Sequence, residues 1–148
     1  MNTQPPAIKR IVVGVDGSEP SAAALAWAIT MASGMGCEIV AVYAIDYPVD
    51  LSLGFGPPAA AQYDPEWRAE IKRTFEEEWC APLRQSGLPY RVMLEDGRPA
   101  SVIVGAADSV DADVVVMGRR GRGGVAELLL GSASHEVALQ SKRPVLLI

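Results

Sequence analysis

Short apolar runs rich in β-branched residues alternate with helix-length segments along this chain, and few folds accommodate that alternation. RIVVGV at 10–15, CEIVAVYA at 37–44, YRVMLE at 90–95, DVVVM at 113–117 and PVLLI at 144–148 read as strands. Residues 18–33, 65–85, 99–109 and 132–140 between them read as helices. The run at 113–117 is continuously apolar, as expected of a strand covered on both faces. An order β-α-β-α-β-α-β-α-β with right-handed crossovers places helices on both sides of a parallel sheet. The expected class is therefore a doubly wound, Rossmann-like α/β fold.

Local signals refine the elements. Pro20 falls in the first turn of its helix, where a missing N–H is harmless. Ala24, Trp27, Ala28 and Met31 keep helical spacing, and Gly34 and Gly36 end that helix. Trp67, Ile71, Phe75 or Thr74, and Trp79 or Glu78 mark one face of a helix over 65–85, which Gly87 and Pro89 stop. The loop at 46–65, rich in proline and glycine, is long for a compact domain and reads as a variable insert or a lid.

A chain of 148 residues, 49% of them hydrophobic, suits a single domain over 1–148. No apolar run approaches the length of a transmembrane helix, so no membrane span is expected. The N-terminal MNTQPPAIKR lacks the apolar stretch of a secretory signal, which points to the cytoplasm. Cys37 and Cys80 form no CxxC pair and no zinc pattern with His135, and are expected to be buried thiols. A net charge of −5 argues against a nucleic-acid partner. Arg119, Arg120 and Arg122 nevertheless cluster in one loop, which suits a small anion better than a long polyanion.

That loop carries the chemistry. Residues 117–134 read MGRRGRGGVAELLLGSAS, with Gly118, Gly121, Gly123, Gly124 and Gly131 in one connection. Glycine lets backbone N–H groups approach an anion with no Cβ in the way. Gly131-Ser132 opens the last helix, whose first amides lack intrahelical partners and whose dipole favours negative charge. Ser132 has two readings, as a helix cap or as a hydroxyl donor to phosphate. VAELLL at 125–130 reads as a flap whose leucines pack down. Asp16, ahead of Gly17-Ser18, is either a turn and cap residue or part of the crevice, since ligands of such sheets bind at the switch point beyond the carboxyl ends of the strands.

Gly118, Gly121, Gly131 and Ser132 fit the pattern G-x-x-G-x(9)-G-[ST]. With IVVGVDGSEPS, AVYAID, GRPASVIV, DADVVVMG and RPVLLI, this resembles the universal stress protein family over essentially the whole chain. The resemblance implies a five-stranded parallel sheet in the order 3-2-1-4-5 and a homodimer. Members with this motif bind ATP. It further implies that Gly118, Gly121, Gly131, Ser132 and the N–H of Ala133 hold phosphates, that Asp16 lies near the ribose and any bound Mg²⁺, and that the backbone of Ala44 reads the adenine edge. ATP, AMP and cyclic nucleotides all present adenine and phosphate, so the choice among them stays open.

Rival motifs fail on particular residues. A receiver domain needs an acid beside Asp16 and a lysine after the last strand. A dinucleotide-binding dehydrogenase needs GxGxxG where this chain has VGVDGSEP, and a P-loop needs a lysine before Ser132. Three functions then compete: a nucleotide sensor with slow hydrolysis at most, a slow ATPase using His135, and a dimeric scaffold that binds no nucleotide. The last strand, at 144–148, has an apolar edge suited to pairing about a two-fold axis through Val145 and Leu147.

Overall fold

The computed structural model describes residues 6–46, 64–122 and 130–148. β1 (Arg10–Gly14) leads to α1 (Glu19–Met35) and β2 (Glu38–Ile45). Then come α2 (Pro65–Arg73), a π-helical segment (Thr74–Trp79), α3 (Ala81–Ser86) and β3 (Tyr90–Asp96). The chain closes with α4 (Pro99–Ser109), β4 (Val114–Met117), α5 (Ser132–Gln140) and β5 (Val145–Leu147). All strand pairs are parallel and the sheet order is β3-β2-β1-β4-β5. The expected α/β class and strand order are both observed.

Alternation along the strands divides the core in two. Ile11, Val13 and Val116 face one layer with Leu25 and Phe75, whereas Val12, Val115 and Val42 face the other with Ile103 and Val137. Both faces are covered at the sheet's centre, which is why β4 reads as an unbroken apolar run. Phe75 is fully buried, and trimming such a side chain to alanine typically costs about 3–5 kcal/mol. Cys37 and Cys80 are buried free thiols, as expected, and burial pushes the Cys80 thiol up to about 12.

The helices depart from the sequence reading in instructive ways. α1 runs through Gly34 and ends at Gly36, which takes φ 68° and returns its N–H to the Ala32 carbonyl. Its buried stripe is Ser21, Ala24, Leu25, Ala28 and Ala32. Small residues bring α1 close to the sheet and leave Trp27 at the margin, 54% exposed. The region 65–85 is not one helix. Pro82 has no N–H to give to the preceding turn, so the α-helical register breaks ahead of it. Cys80 N–H instead reaches back to the Phe75 carbonyl at 3.0 Å, a π-type bond. The widened turn directs Phe75, Trp79 and Cys80 to the same layer of the core.

The topology fixes where a ligand can sit. From β1 the sheet grows one way through β2 and β3 and the other way through β4 and β5. The carboxyl ends of β1 and β4, neighbours in the sheet, are the switch point where connections diverge and a crevice opens. No helix among the described residues is long and apolar enough to cross a membrane.

Candidate functional site

The β1–α1 turn is built around one carboxylate. Asp16 Oδ1 accepts the Ser18 amide at 3.0 Å and the Ser18 hydroxyl at 2.5 Å. Its Oδ2 accepts the Arg122 amide at 3.2 Å, across 106 residues of sequence. Burial alone would raise the Asp16 carboxyl, but the bonds from Ser18, Ser21 and Arg122 together hold it below the ordinary carboxylate value. Asp16 is thus both a turn residue and a wall of the crevice. Gly17, at φ 79°, is required here: a Cβ on it would meet the Trp79 ring at 2.4 Å.

The glycines of the loop have separable jobs. A Cβ on Gly118 would come within 2.7 Å of Pro20, so Gly118 lets the end of β4 pass close to α1. This is a packing reason, distinct from the phosphate approach expected at that position. A Cβ on Gly121 would lie 2.7 Å from Asp16 Oδ2, so Gly121 lets the carboxylate and the loop meet. Gly131 gives its N–H to the Arg119 carbonyl at 2.7 Å. A Cβ on it would stand 3.6 Å from the Gly121 nitrogen. The start of the loop and the start of α5 are therefore stitched together. Ser134, which the sequence reading passed over, tightens the stitch by donating its hydroxyl to the Gly118 carbonyl at 2.7 Å.

An account of the loop amides decides what this can hold. Arg119 N–H goes to the Ile148 carbonyl, Gly131 N–H to Arg119 and Arg122 N–H to Asp16. Among the described residues no acceptor meets the amides of Gly121, Ser132 or Ala133. The N-cap of α5 is Gly131, with no side-chain cap bond and no acid in the first turn. Ser132 is thus the first helical residue and not the cap, which leaves the hydroxyl-donor reading for it. Uncapped amides at a helix start are suited to an anion.

These groups line a cleft of about 500 Å³. Asp16, Ala44, Gly118, Gly121, Gly131, Ser132 and Ala133 all line it. Its apolar wall comes from Val42, Ile103 and Met117, and Tyr43, Asp46, Arg120 and Arg122 stand at its polar parts. Ile103 comes from α4, a helix that the sequence reading did not connect with the site. Arg119 does not line the cleft, and His135 is exposed on α5 and does not line it either. The Tyr43 phenol is pushed up by burial, drawn down by Arg122 and pushed up by Asp16. Among the described residues no group of three or more His, Cys, Asp or Glu side chains is placed to hold a metal. Most of the loop expected at 46–65 and all but Leu130 of the flap expected at 125–130 lie outside the described residues.

A parallel sheet with a cleft at its switch point, lined by Gly118, Gly121 and the start of α5, defines a doubly wound α/β protein with a candidate ligand site at the carboxyl ends of β1 and β4. The chain belongs to the universal stress protein family, whose model matches residues 7–148. It is 34% identical over 144 residues to a universal stress protein of Thermus aquaticus, covering 95% of this chain and 98% of that one. Among solved structures it is similar to the universal stress protein from Archaeoglobus fulgidus in complex with dAMP, at 25% identity and a TM-score of 0.69, covering 97% of this chain and 99% of that one. It is also similar to a universal stress protein in complex with cAMP, at 26% identity and a TM-score of 0.68, covering 97% and 98% of the two chains.

Proposed function

We propose that this protein is an adenine-nucleotide-binding regulatory module of the stress response, with ATP as its ligand, that retains the nucleotide and hydrolyses it slowly at most. The observation that carries the reading is the convergence of the uncommitted amides of Gly121, Ser132 and Ala133 on one cleft. Phosphate oxygens would take those amides and the Ser132 hydroxyl. Adenine would lie against Val42, Ala44 and Met117, with the ribose toward Asp16. The similar proteins solved with dAMP and cAMP support an adenine nucleotide as the class of ligand.

Mg²⁺ would enter as a companion of the phosphates. It usually takes one or two protein carboxylates together with phosphate oxygens and water, and Asp16, whose Oδ2 lies beside Gly121, is a carboxylate lining the cleft. Turnover needs a group that positions water or removes its proton, and His135 is exposed outside the cleft. Buried free thiols fit a reducing compartment such as the cytoplasm. β5 pairs with β4 on one side. Its other edge would pair with a second copy, giving a homodimer that sedimentation at micromolar concentration would detect.

Equilibrium dialysis of the purified protein against ATP, followed by single-turnover phosphate release, tests the reading. Retention with release slower than dissociation is expected. Failure to retain ATP, AMP or a cyclic nucleotide would favour the scaffold alternative, and fast, His135-dependent release would make the protein an enzyme.

A further inference from the structure

Arg122 is surrounded by unusual company. Its Cζ lies 4.5 Å from the centroid of the Trp79 ring. Trp79 in turn meets Tyr43 edge-on at 5.0 Å and Phe75 at 6.4 Å, so the ring is braced from behind. Gly17 clears the space: a Cβ there would collide with both Trp79 and the Arg122 Nη2 atom. The aromatic platform, the bare glycine and the guanidinium form one packed unit at the edge of the cleft, and Arg122 itself lines that cleft.

The guanidinium has no acceptor among the described residues. Many arginines away from the loop are committed: Arg10 and Arg91 share Glu38, Arg73 pairs with Glu70, Arg98 with Glu136 and Arg143 with Asp111. Arg119 and Arg120 of the same loop have neither an acceptor among the described residues nor an aromatic platform like Trp79. Asp16 is adjacent, yet its oxygens serve the Ser18 amide and hydroxyl and the backbone amide of Arg122. A planar fork of N–H donors is thus held by an aromatic face alone, beside uncommitted backbone amides. A cation–π contact at a partly exposed site is weaker than a bidentate, charge-assisted bond to phosphate. An anion entering beside Asp16 also meets a fixed negative charge, which a cation moved into the cleft would offset.

We propose that Arg122 is the side chain that reads phosphate charge in this cleft, and that its stack on Trp79 is a resting position from which it swings onto the phosphate oxygens of a nucleotide. This rests on the nucleotide reading given above and adds to it a specificity residue and a built-in reporter. The backbone amide of Arg122, fixed by Asp16, is the pivot. Gly121 and the start of α5 hold phosphate by main-chain donors, whereas Arg122 supplies a full charge whose contribution grows with the number of phosphates.

The test compares ATP, AMP and adenosine binding to the full chain by equilibrium dialysis, in wild type, Arg122→Gln and Arg122→Lys, with tryptophan emission followed in parallel and Trp79→Phe as the assignment control. Arg122→Gln should weaken ATP by about tenfold or more, AMP by less, and leave adenosine unchanged. Arg122→Lys should recover part of the ATP affinity. ATP should change the wild-type emission, and that change should vanish in both Trp79→Phe and Arg122→Gln. Wild-type binding with ATP affinity unaltered in Arg122→Gln would overturn this proposal and leave the nucleotide reading standing. Equal losses for ATP and adenosine would also overturn it, by assigning Arg122 a structural role. Wild type retaining none of the ligands would overturn both.

Discussion

Helices α1 and α5 both begin beside the cleft, each close to a glycine, and they treat their first amides differently. α1 carries its own side-chain cap. Ser18 caps it by accepting the Ser21 amide, Glu19 places an acid in the first turn, and Pro20 has no amide to offer. Ser21 completes the turn, accepting the Asp16 amide at 3.3 Å and donating to the Ser18 carbonyl at 3.0 Å. α5 has Gly131 at its cap, no side-chain bond there and no acid in its first turn. Its Ser132 and Ala133 amides meet no acceptor among the described residues. Two helix starts made from nearly the same small residues thus differ in what they can offer a ligand, because one has a side-chain cap and the other does not.

The most damaging way to break that contrast is to give α5 a cap like that of α1. In Gly131→Asp a carboxylate would accept from the amides proposed to hold phosphate and add a negative charge. ATP affinity should fall on the order of 100-fold, about 2.7 kcal/mol, because one or two charge-assisted bonds are lost. Calorimetric titration would measure this, with circular dichroism to verify the helices. An unchanged affinity would mean that the phosphates rest elsewhere.

Asp16 links the two halves of the comparison. Asp16→Ala strips the partner from the Ser18 amide and hydroxyl and from the Arg122 amide. It should cost about 2 kcal/mol of stability, read as a lower urea midpoint. A loss within error would show that water replaces the carboxylate at no cost.

Ser18→Ala sharpens the contrast from the other side. Loss of the α1 cap should cost about 1 kcal/mol of stability while ATP affinity stays within about twofold of wild type, since the α1 amides are not offered to the ligand. A large affinity loss here would mean that the two helix starts share the ligand.

The smallest effect expected is a pH dependence. The Asp16 carboxyl is held below its ordinary value in the folded chain, despite the opposing effect of burial. Its contribution to stability is therefore present above the unfolded value of about 4 and is lost as pH falls through the lower folded value. The stability gap between wild type and Asp16→Asn should shrink as pH drops from neutral to about 3, as followed by urea midpoints. A gap that stays constant would show that Asp16 acts through shape alone.

The contrast also explains what the sequence made legible. The central strands β1, β2 and β4 were readable because they are largely buried, as in Val114–Met117, and such runs carry a strong local signal, whereas the strand order came from the resemblance to the family. The glycine spacing and Gly131-Ser132 marked the loop and the start of the last helix, but whether Ser132 caps it was settled only by the backbone, where Gly131 takes the cap position. Trp79 was not readable as a neighbour of the site. Its position depends on the π turn forced ahead of Pro82, and on Gly17 being bare sixty-odd residues earlier. Ile103 and Ser134 were missed for a similar reason. Each meets the cleft or the loop through packing of whole elements, and nothing adjacent in the sequence announces it.

The central claim is that the amides of Gly121, Ser132 and Ala133 receive the phosphates of a nucleotide while those of α1 do not. Two-dimensional amide NMR during titration with ATP, with adenosine as the comparison, tests it most directly. ATP should move the Gly121, Ser132 and Ala133 amide signals downfield well beyond any change caused by adenosine, with Glu19 and Ser21 nearly still. Large ATP-specific shifts at Glu19 and Ser21, with Gly121, Ser132 and Ala133 unmoved, would contradict it.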